Sequence, residues 1–197
     1  MPELCYPNHF AADLISAMVE VMGEYGLNET LGVHHVARPA DTSLKRAYPF
    51  TALGQINSAL NTVYGERGGR GMALRTGRAW FSNGMRGFGA MVGVGDPAFR
   101  VLTISNRCRV ALIAQVEIFS RFSDQTTLFE ETAGDFRIVV EHSPFAAGLQ
   151  EERPVCHVLV GLFQECLRWA SNGRDYLVRE THCTAAGGDT CTFVIQK

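Results

Sequence analysis

The sequence predicts an α+β domain in which a small antiparallel sheet is packed with helices, and three observations carry that expectation. Apolar residues recur at helical spacing through the first half of the chain, two alternating or β-branched hairpin patterns lie in the second half, and a single apolar helix separates the hairpins. The order helices, hairpin, helix, hairpin lacks the regular strand–helix alternation of a doubly wound sheet.

The first helix is expected over residues 8 to 24. Asn8 stands at its cap, Phe10, Leu14, Ile15, Met18, Val21 and Met22 share a face, and Gly23 and Gly26 act as stop signals. Residues 27 to 49, with Pro39 and Pro49, read as a connection, and a second helix spans Phe50 to Tyr64 and ends at Gly65. Ten glycines and five arginines then fall between Gly65 and Gly95, with no acidic residue from Arg67 onward. Glycine-freed amides and guanidinium groups suit an anion, but the spacing matches neither a dinucleotide fingerprint nor a Walker loop. Close helix packing is therefore the first reading of this segment and a ligand-site wall the second. A helix follows from Arg107 to Ser123, capped by Ser105 or Asn106, and a hairpin pairs Thr126 to Glu131 with Phe136 to Glu141 across Ala133-Gly134-Asp135. Pro154 suits a helix N-terminus, Val155 to Trp169 is apolar until Asn172-Gly173 stops it, and the last strands run from Tyr176 to Cys183 and from Thr190 to Ile195. All 197 residues are taken as one domain, with a helical, glycine-rich part (1–95) and a sheet–helix core (96–197).

Composition narrows the class. Apolar residues make up 46% and charged residues 19% of the chain, which excludes a disordered tail, a fibrous repeat and a coiled coil. Eighteen basic and twenty acidic side chains sum to −2, so nothing in the total points to nucleic acid or a membrane surface. The start MPELCYPNHF is unlike a signal peptide and no apolar run approaches the roughly 18 residues of a membrane span, so the expectation is a soluble cytoplasmic protein.

Six cysteines then need a role: Cys5, Cys108, Cys156, Cys166, Cys183 and Cys191. Cys183 and Cys191 flank a hairpin turn, and Glu180 lies just before them on the same strand. Cys156 follows Pro154 at a helix N-terminus, where free amides favour a thiolate. These four groups form a candidate zinc site, with His182 or His157 as substitute ligands and Arg153 or Arg179 as compensating charge. Buried core thiols and a redox pair remain alternatives, because Cys-x7-Cys is less specific than paired Cys-x-x-Cys knuckles. Four protein ligands would leave no open position for water, so such a metal is structural.

Pro154-Val155-Cys156, Gly161, Gly173-Arg174, Glu180-x-x-Cys183, Gly187-Gly188-Asp189 and Cys191-x-Phe193 together resemble the 4-vinyl reductase domain. This is the small-molecule-binding module of a bacteriochlorophyll biosynthesis protein and of phenol- and xylene-sensing transcription activators. The resemblance implies a structural zinc on Cys156, Glu180, Cys183 and Cys191, a fold similar to a vesicle-tethering subunit, a homodimer and an internal apolar cavity. The 197-residue length gives no room for the ATPase and helix-turn-helix domains of the activators, and no motif places the Trp and His pair with which those sensors grip phenol.

The function expected is binding, sensing, carrying or chaperoning of a hydrophobic or aromatic small molecule, a tetrapyrrole being one candidate. Trp80, Phe81, Phe88, Phe119, Phe122 and Phe136 are the aromatic candidates for a cavity walled by the 107–123 helix, the glycine-rich helices and a sheet face. His142 is a candidate polar anchor, and Arg75, Arg78 and Arg86 are candidates to pair with a ligand carboxylate. The alternatives are a reductase or accessory subunit acting on a divinyl tetrapyrrole and an assembly protein without ligand. No dinucleotide, flavin or cluster signature supplies a hydride source, so the chain reads as a binder before an enzyme.

Overall fold

The computed structural model describes residues 3–88 and 97–197. Strand β1 (Cys5–Pro7) pairs antiparallel with β2 (Arg46–Pro49), and between them runs α1 (Asn8–Val33). Helix α2 (Phe50–Phe88), the short α3 (Pro97–Arg100) and α4 (Ile104–Phe122) follow. The second half contributes β3 (Thr127–Glu131), β4 (Asp135–Val140), α5 (His157–Ala170), β5 (Val178–His182) and β6 (Cys191–Gln196). The last four strands form one antiparallel sheet in the order β3-β4-β6-β5. The expected α+β architecture is thus present. No described helix is long and apolar enough to cross a membrane.

The two glycine stop signals are kinks rather than ends. Gly23 (φ 72°, ψ 168°) and Gly65 (φ 71°, ψ 164°) each leave helical geometry for a single residue, after which the helix resumes to Val33 and to Phe88. Glycine reaches positive φ without the Cβ penalty, and the residues beyond each kink retain an inward apolar face, so packing continues the helix where the sequence signal stops it. The expected connection 27–49 is accordingly helical at its start and strand at its end, where β2 closes on β1. Helix α4 is capped by Thr103, whose hydroxyl accepts from the Asn106 amide at 3.3 Å, rather than by Ser105 or Asn106. Several cap-competent residues stand in a row there, and propensity alone does not choose among them. Helix α5 begins at His157 with Cys156 at its cap, two residues later than Val155.

The glycine-rich segment serves helix packing where it is described. A Cβ on Gly77 of α2 would overlap the Val158 carbonyl oxygen, and one on Gly161 of α5 would overlap the Leu74 carbonyl oxygen. The two helices cross in backbone contact at this glycine pair. Arg78 fastens the same crossing by donating to Gln164 Oε1 at 2.8 and 3.3 Å. Gly89, Gly93, Gly95 and the expected boundary at 95/96 lie outside the described residues. On the other side of α5, the buried sheet face carries Phe136, Ile138, Val140, Phe193 and Ile195, with Phe163 meeting Phe193 edge-on at 5.3 Å.

Candidate functional site

The C-terminal hairpin and the start of α5 bring Cys156, Glu180, Cys183 and Cys191 together, with their ligand atoms all within 4.8 Å of one another. Local structure explains the convergence. On a regular strand, residues three apart face opposite sides, but β5 carries a bulge between Glu180 and His182, and the extra residue returns Cys183 to the side of Glu180. The chain then turns through Thr184–Ala186 and a left-handed Gly187 (φ 83°), with the Ala186 and Gly188 amides both donating to the Cys183 carbonyl, and Cys191 opens β6 opposite Val140. Cys156 comes from the cap of α5, where its amide donates to Glu180 Oε2 at 2.8 Å.

The geometry of the cluster suits a tetrahedral metal ion. The Sγ atoms of Cys156, Cys183 and Cys191 are separated by 3.6, 3.7 and 3.9 Å. Sulfurs on a tetrahedral ion with 2.3 Å bonds stand about 3.8 Å apart, whereas a disulfide holds them at about 2.05 Å. All six cysteines are free. The second carboxylate oxygen, Glu180 Oε1, is buried with no hydrogen-bond partner, an arrangement that costs free energy unless a cation takes the position.

Electrostatics point the same way. Burial and the neighbouring Cys183 push the Glu180 carboxyl up to about 8, and burial raises the Cys156 thiol well above its ordinary value. Hydrogen bonds from Cys156 and Cys183 hold Cys191 down to about 4. The cluster thus favours one thiolate among protonated neighbours, and a divalent cation would relieve the mutual repulsion that keeps the others neutral.

The sulfurs are also hydrogen-bonded from outside the ligand set, by residues that motif spacing did not indicate. Ser143 Oγ lies 3.1 Å from Cys156 Sγ, and the Thr184 amide and hydroxyl lie 3.3 and 3.5 Å from Cys191 Sγ. Arg153 is instead 82% exposed beside Glu66, and Arg179 is exposed, so neither supplies the compensating charge expected of it. His182 turns to the Thr181 hydroxyl at 3.1 Å, and His157, held down to about 4 chiefly by burial, lines a polar cleft of about 1140 Å³ with Arg70 and Glu66. Cys108 and Cys166 are buried elsewhere, Cys108 near the Tyr176 hydroxyl at 3.7 Å, and Cys5 is partly exposed.

A second feature lies among the helices: an apolar cavity of about 40 Å³ where α1, α2, α4 and α5 meet. Its aromatic walls are Phe10, Trp80, Phe81 and Phe119, and its polar atoms come from Asp13 and Gln115. Gly84, Ile118 and Leu162 complete the lining, and no strand contributes among the described residues. Of the sequence candidates, Trp80, Phe81 and Phe119 meet here. Phe136 is buried on β4 against Phe129, with the Lys197 ammonium 4.8 Å from its ring centre. His142 lines a separate cleft beside Ser143 and Thr184. Phe122 sits at the end of α4 under Arg121, Arg75 contacts Met72, and the side chains of Phe88 and Arg86 lie outside the described residues. Phe10, Asp13 and Gln115 are not among the sequence candidates; the available signal was a carboxylate placed three residues after Phe10 on an otherwise apolar helix face.

Tyr6 joins the two features. Its buried ring stacks on Phe119 (6.0 Å, 10°), meets Phe10 edge-on (5.8 Å) and tilts on Trp80 (6.0 Å), and its hydroxyl donates to Gln125. Cys156 is close enough that its charge, after burial, raises the Tyr6 phenol further.

Comparison with known proteins agrees with this architecture. Residues 136–197 match the family model of the 4-vinyl reductase (V-4-R) domain, which bears out the resemblance over a segment containing all four candidate ligands. No curated protein sequence matches the chain. Among solved structures, an H-NOX protein from S. oneidensis in the Fe(II)NO ligation state is similar with TM-score 0.60 and 16% identity, over 97% of this chain and 99% of that one. A protein solved in a study of heme redox potential and porphyrin distortion gives TM-score 0.56 and 11% identity, over 97% and 99%. The phenol-responsive sensory domain of the transcription activator PoxR, bound to phenol, gives TM-score 0.51 and 18% identity over 77% of each chain. At these identities the likeness is one of fold.

Proposed function

We propose that the chain is a small-molecule-binding domain that takes a hydrophobic or aromatic ligand in the four-helix cavity and uses a structural zinc on Cys156, Glu180, Cys183 and Cys191. The cavity carries this reading: a concave, mainly apolar site with few convergent polar groups is what ligand recognition requires. The 4-vinyl reductase match and the fold shared with a phenol-responsive domain support it. A bound zinc would supply cross-linking only, because four protein ligands leave no site for substrate. Its role would be to pin the start of α5 to the β5–β6 hairpin, and α5 in turn carries Leu162 into the cavity wall.

A tetrapyrrole does not suit this cavity. Its volume of about 40 Å³ is far below the roughly 300–1,000 Å³ of pockets that enclose large ligands, and among the described residues no histidine, cysteine or methionine lines it to serve as an axial ligand. The likeness to H-NOX and heme proteins is therefore read as fold alone.

Titration with phenol and with toluene, followed by tryptophan fluorescence or calorimetry, tests the reading. Saturable binding is expected, and Gly84→Leu should abolish it by filling the cavity, since a Cβ at Gly84 meets no neighbouring atom. Absence of binding by either compound, or binding unaffected by Gly84→Leu, would contradict it.

A further inference from the structure

Resting on the cavity reading above, the geometry points to a ligand that carries a compact organic ammonium head group, held by the Asp13 carboxylate inside a box of aromatic rings. Four of the cavity's walls are the π systems of Phe10, Trp80, Phe81 and Phe119. They do not lie in one flat stack. The planes of Phe10 and Trp80 are inclined by 86° and 50° to that of Phe119, with ring centres 6.0 and 5.8 Å from it, so the rings turn toward a shared volume from different directions. Ring faces carry negative charge density and attract a cation within about 6 Å of their centres, most strongly when the site is partly desolvated.

The polar groups of the same cavity have the matching sign. Asp13 is an anion whose side chain is only 24% exposed, and Gln115 adds an amide at the buried face of α4. No arginine, lysine or histidine lines the cavity among the described residues. The contact of Asp13 with His9 Nε2, at 3.6 Å, is longer than a hydrogen bond. Burial raises the Asp13 carboxyl while the His9 contact lowers it, which marks the carboxylate as partly desolvated with limited compensation. An anionic ligand would meet this carboxylate without a counter-charge. A neutral hydrocarbon would offer it nothing, whereas an ammonium ion satisfies the rings and the carboxylate together.

Size sets the class further. A cavity of about 40 Å³ has room for roughly three water molecules at about 10–15 Å³ each, which fits a methylated ammonium head rather than a multi-ring body. The remainder of the ligand would extend beyond the cavity mouth.

The test compares choline with its uncharged carbon isostere, 3,3-dimethylbutan-1-ol. The full chain carrying Trp169→Phe serves as host, which leaves Trp80 as the only indole. Choline should bind at least 10-fold more tightly than the isostere and change Trp80 emission. Asp13→Asn should erase that preference while leaving the affinity for the isostere within about twofold. Equal binding of the two probes overturns the inference, as does a preference that survives Asp13→Asn, and both leave the cavity reading standing. Phenol binding without choline binding also overturns it. If no probe binds, phenol included, the cavity reading fails and the inference with it.

Discussion

The metal-ligand cluster draws its side chains from the stretch between Cys156 and Cys191, whereas the aromatic cavity takes its walls from Phe10 through Leu162 and from four different helices. The first is assembled by short-range devices: a helix cap, a β-bulge and a tight turn through Gly187. The second exists only after α1, α2, α4 and α5 have packed. Ligand chemistry at the cluster is therefore set by residue identity within one supersecondary unit, while at the cavity it is set by packing, and perturbations of the two should differ in kind.

The largest effect is expected from breaking the cluster. Cys183→Ser or Cys191→Ser removes a ligand and leaves buried charge uncompensated, which costs about 3–5 kcal/mol. Urea denaturation should show that loss together with loss of bound metal. Next comes the helix crossing that supports the cavity. Gly161→Ala or Gly77→Ala places a methyl against a backbone carbonyl that cannot rotate away, and overpacking of this kind costs about 1–3 kcal/mol. Circular-dichroism melts should register it with metal content unchanged.

A subtler break of the cluster is Ser143→Ala, which removes a hydrogen bond to Cys156 Sγ. Metal affinity should fall about 10–100-fold in a chelator competition, the usual cost of losing a group that supports a ligand. Acidification should separate the regions as well. Metal binding requires deprotonated thiols, so it depresses their folded pKa below the unfolded value of about 8.5; the stability it adds is present above that value and declines as pH falls. Melting temperature measured from pH 8 to pH 5 should therefore drop more for metal-loaded protein than for the Cys191→Ser variant. The smallest change in stability is expected for Gly84→Leu, within about 0.5 kcal/mol, even though it fills the cavity.

The same division explains what could be read from the sequence. Cys156, Glu180, Cys183 and Cys191 were legible because thiols and a carboxylate near hairpin and cap signals carry chemical identity with their position. The helices and both hairpins were legible from periodicity, but the continuation of α1 and α2 past Gly23 and Gly65 was not. A glycine signal reports local freedom, whereas the helix is extended by distant packing. The pairing of Gly77 with Gly161 likewise depends on a crossing between elements far apart in the chain. Asp13 and Gln115 were missed because a polar residue on a helix face ordinarily marks the solvent side; here it marks a cavity where four helices diverge. Ser143 and Thr184 were missed because nothing in their spacing ties a hydroxyl to a sulfur across the sheet edge.

The central claim is that three cysteines and a glutamate hold one structural zinc and thereby lock α5 to the sheet. Elemental analysis of the purified full chain, paired with thiol titration under native conditions, tests it most directly. The account predicts about one zinc per chain, with Cys156, Cys183 and Cys191 unreactive until a chelator is added, and loss of the metal in Cys183→Ser. Folded, metal-free protein whose three cluster thiols show the same reactivity before and after exposure to zinc would contradict it.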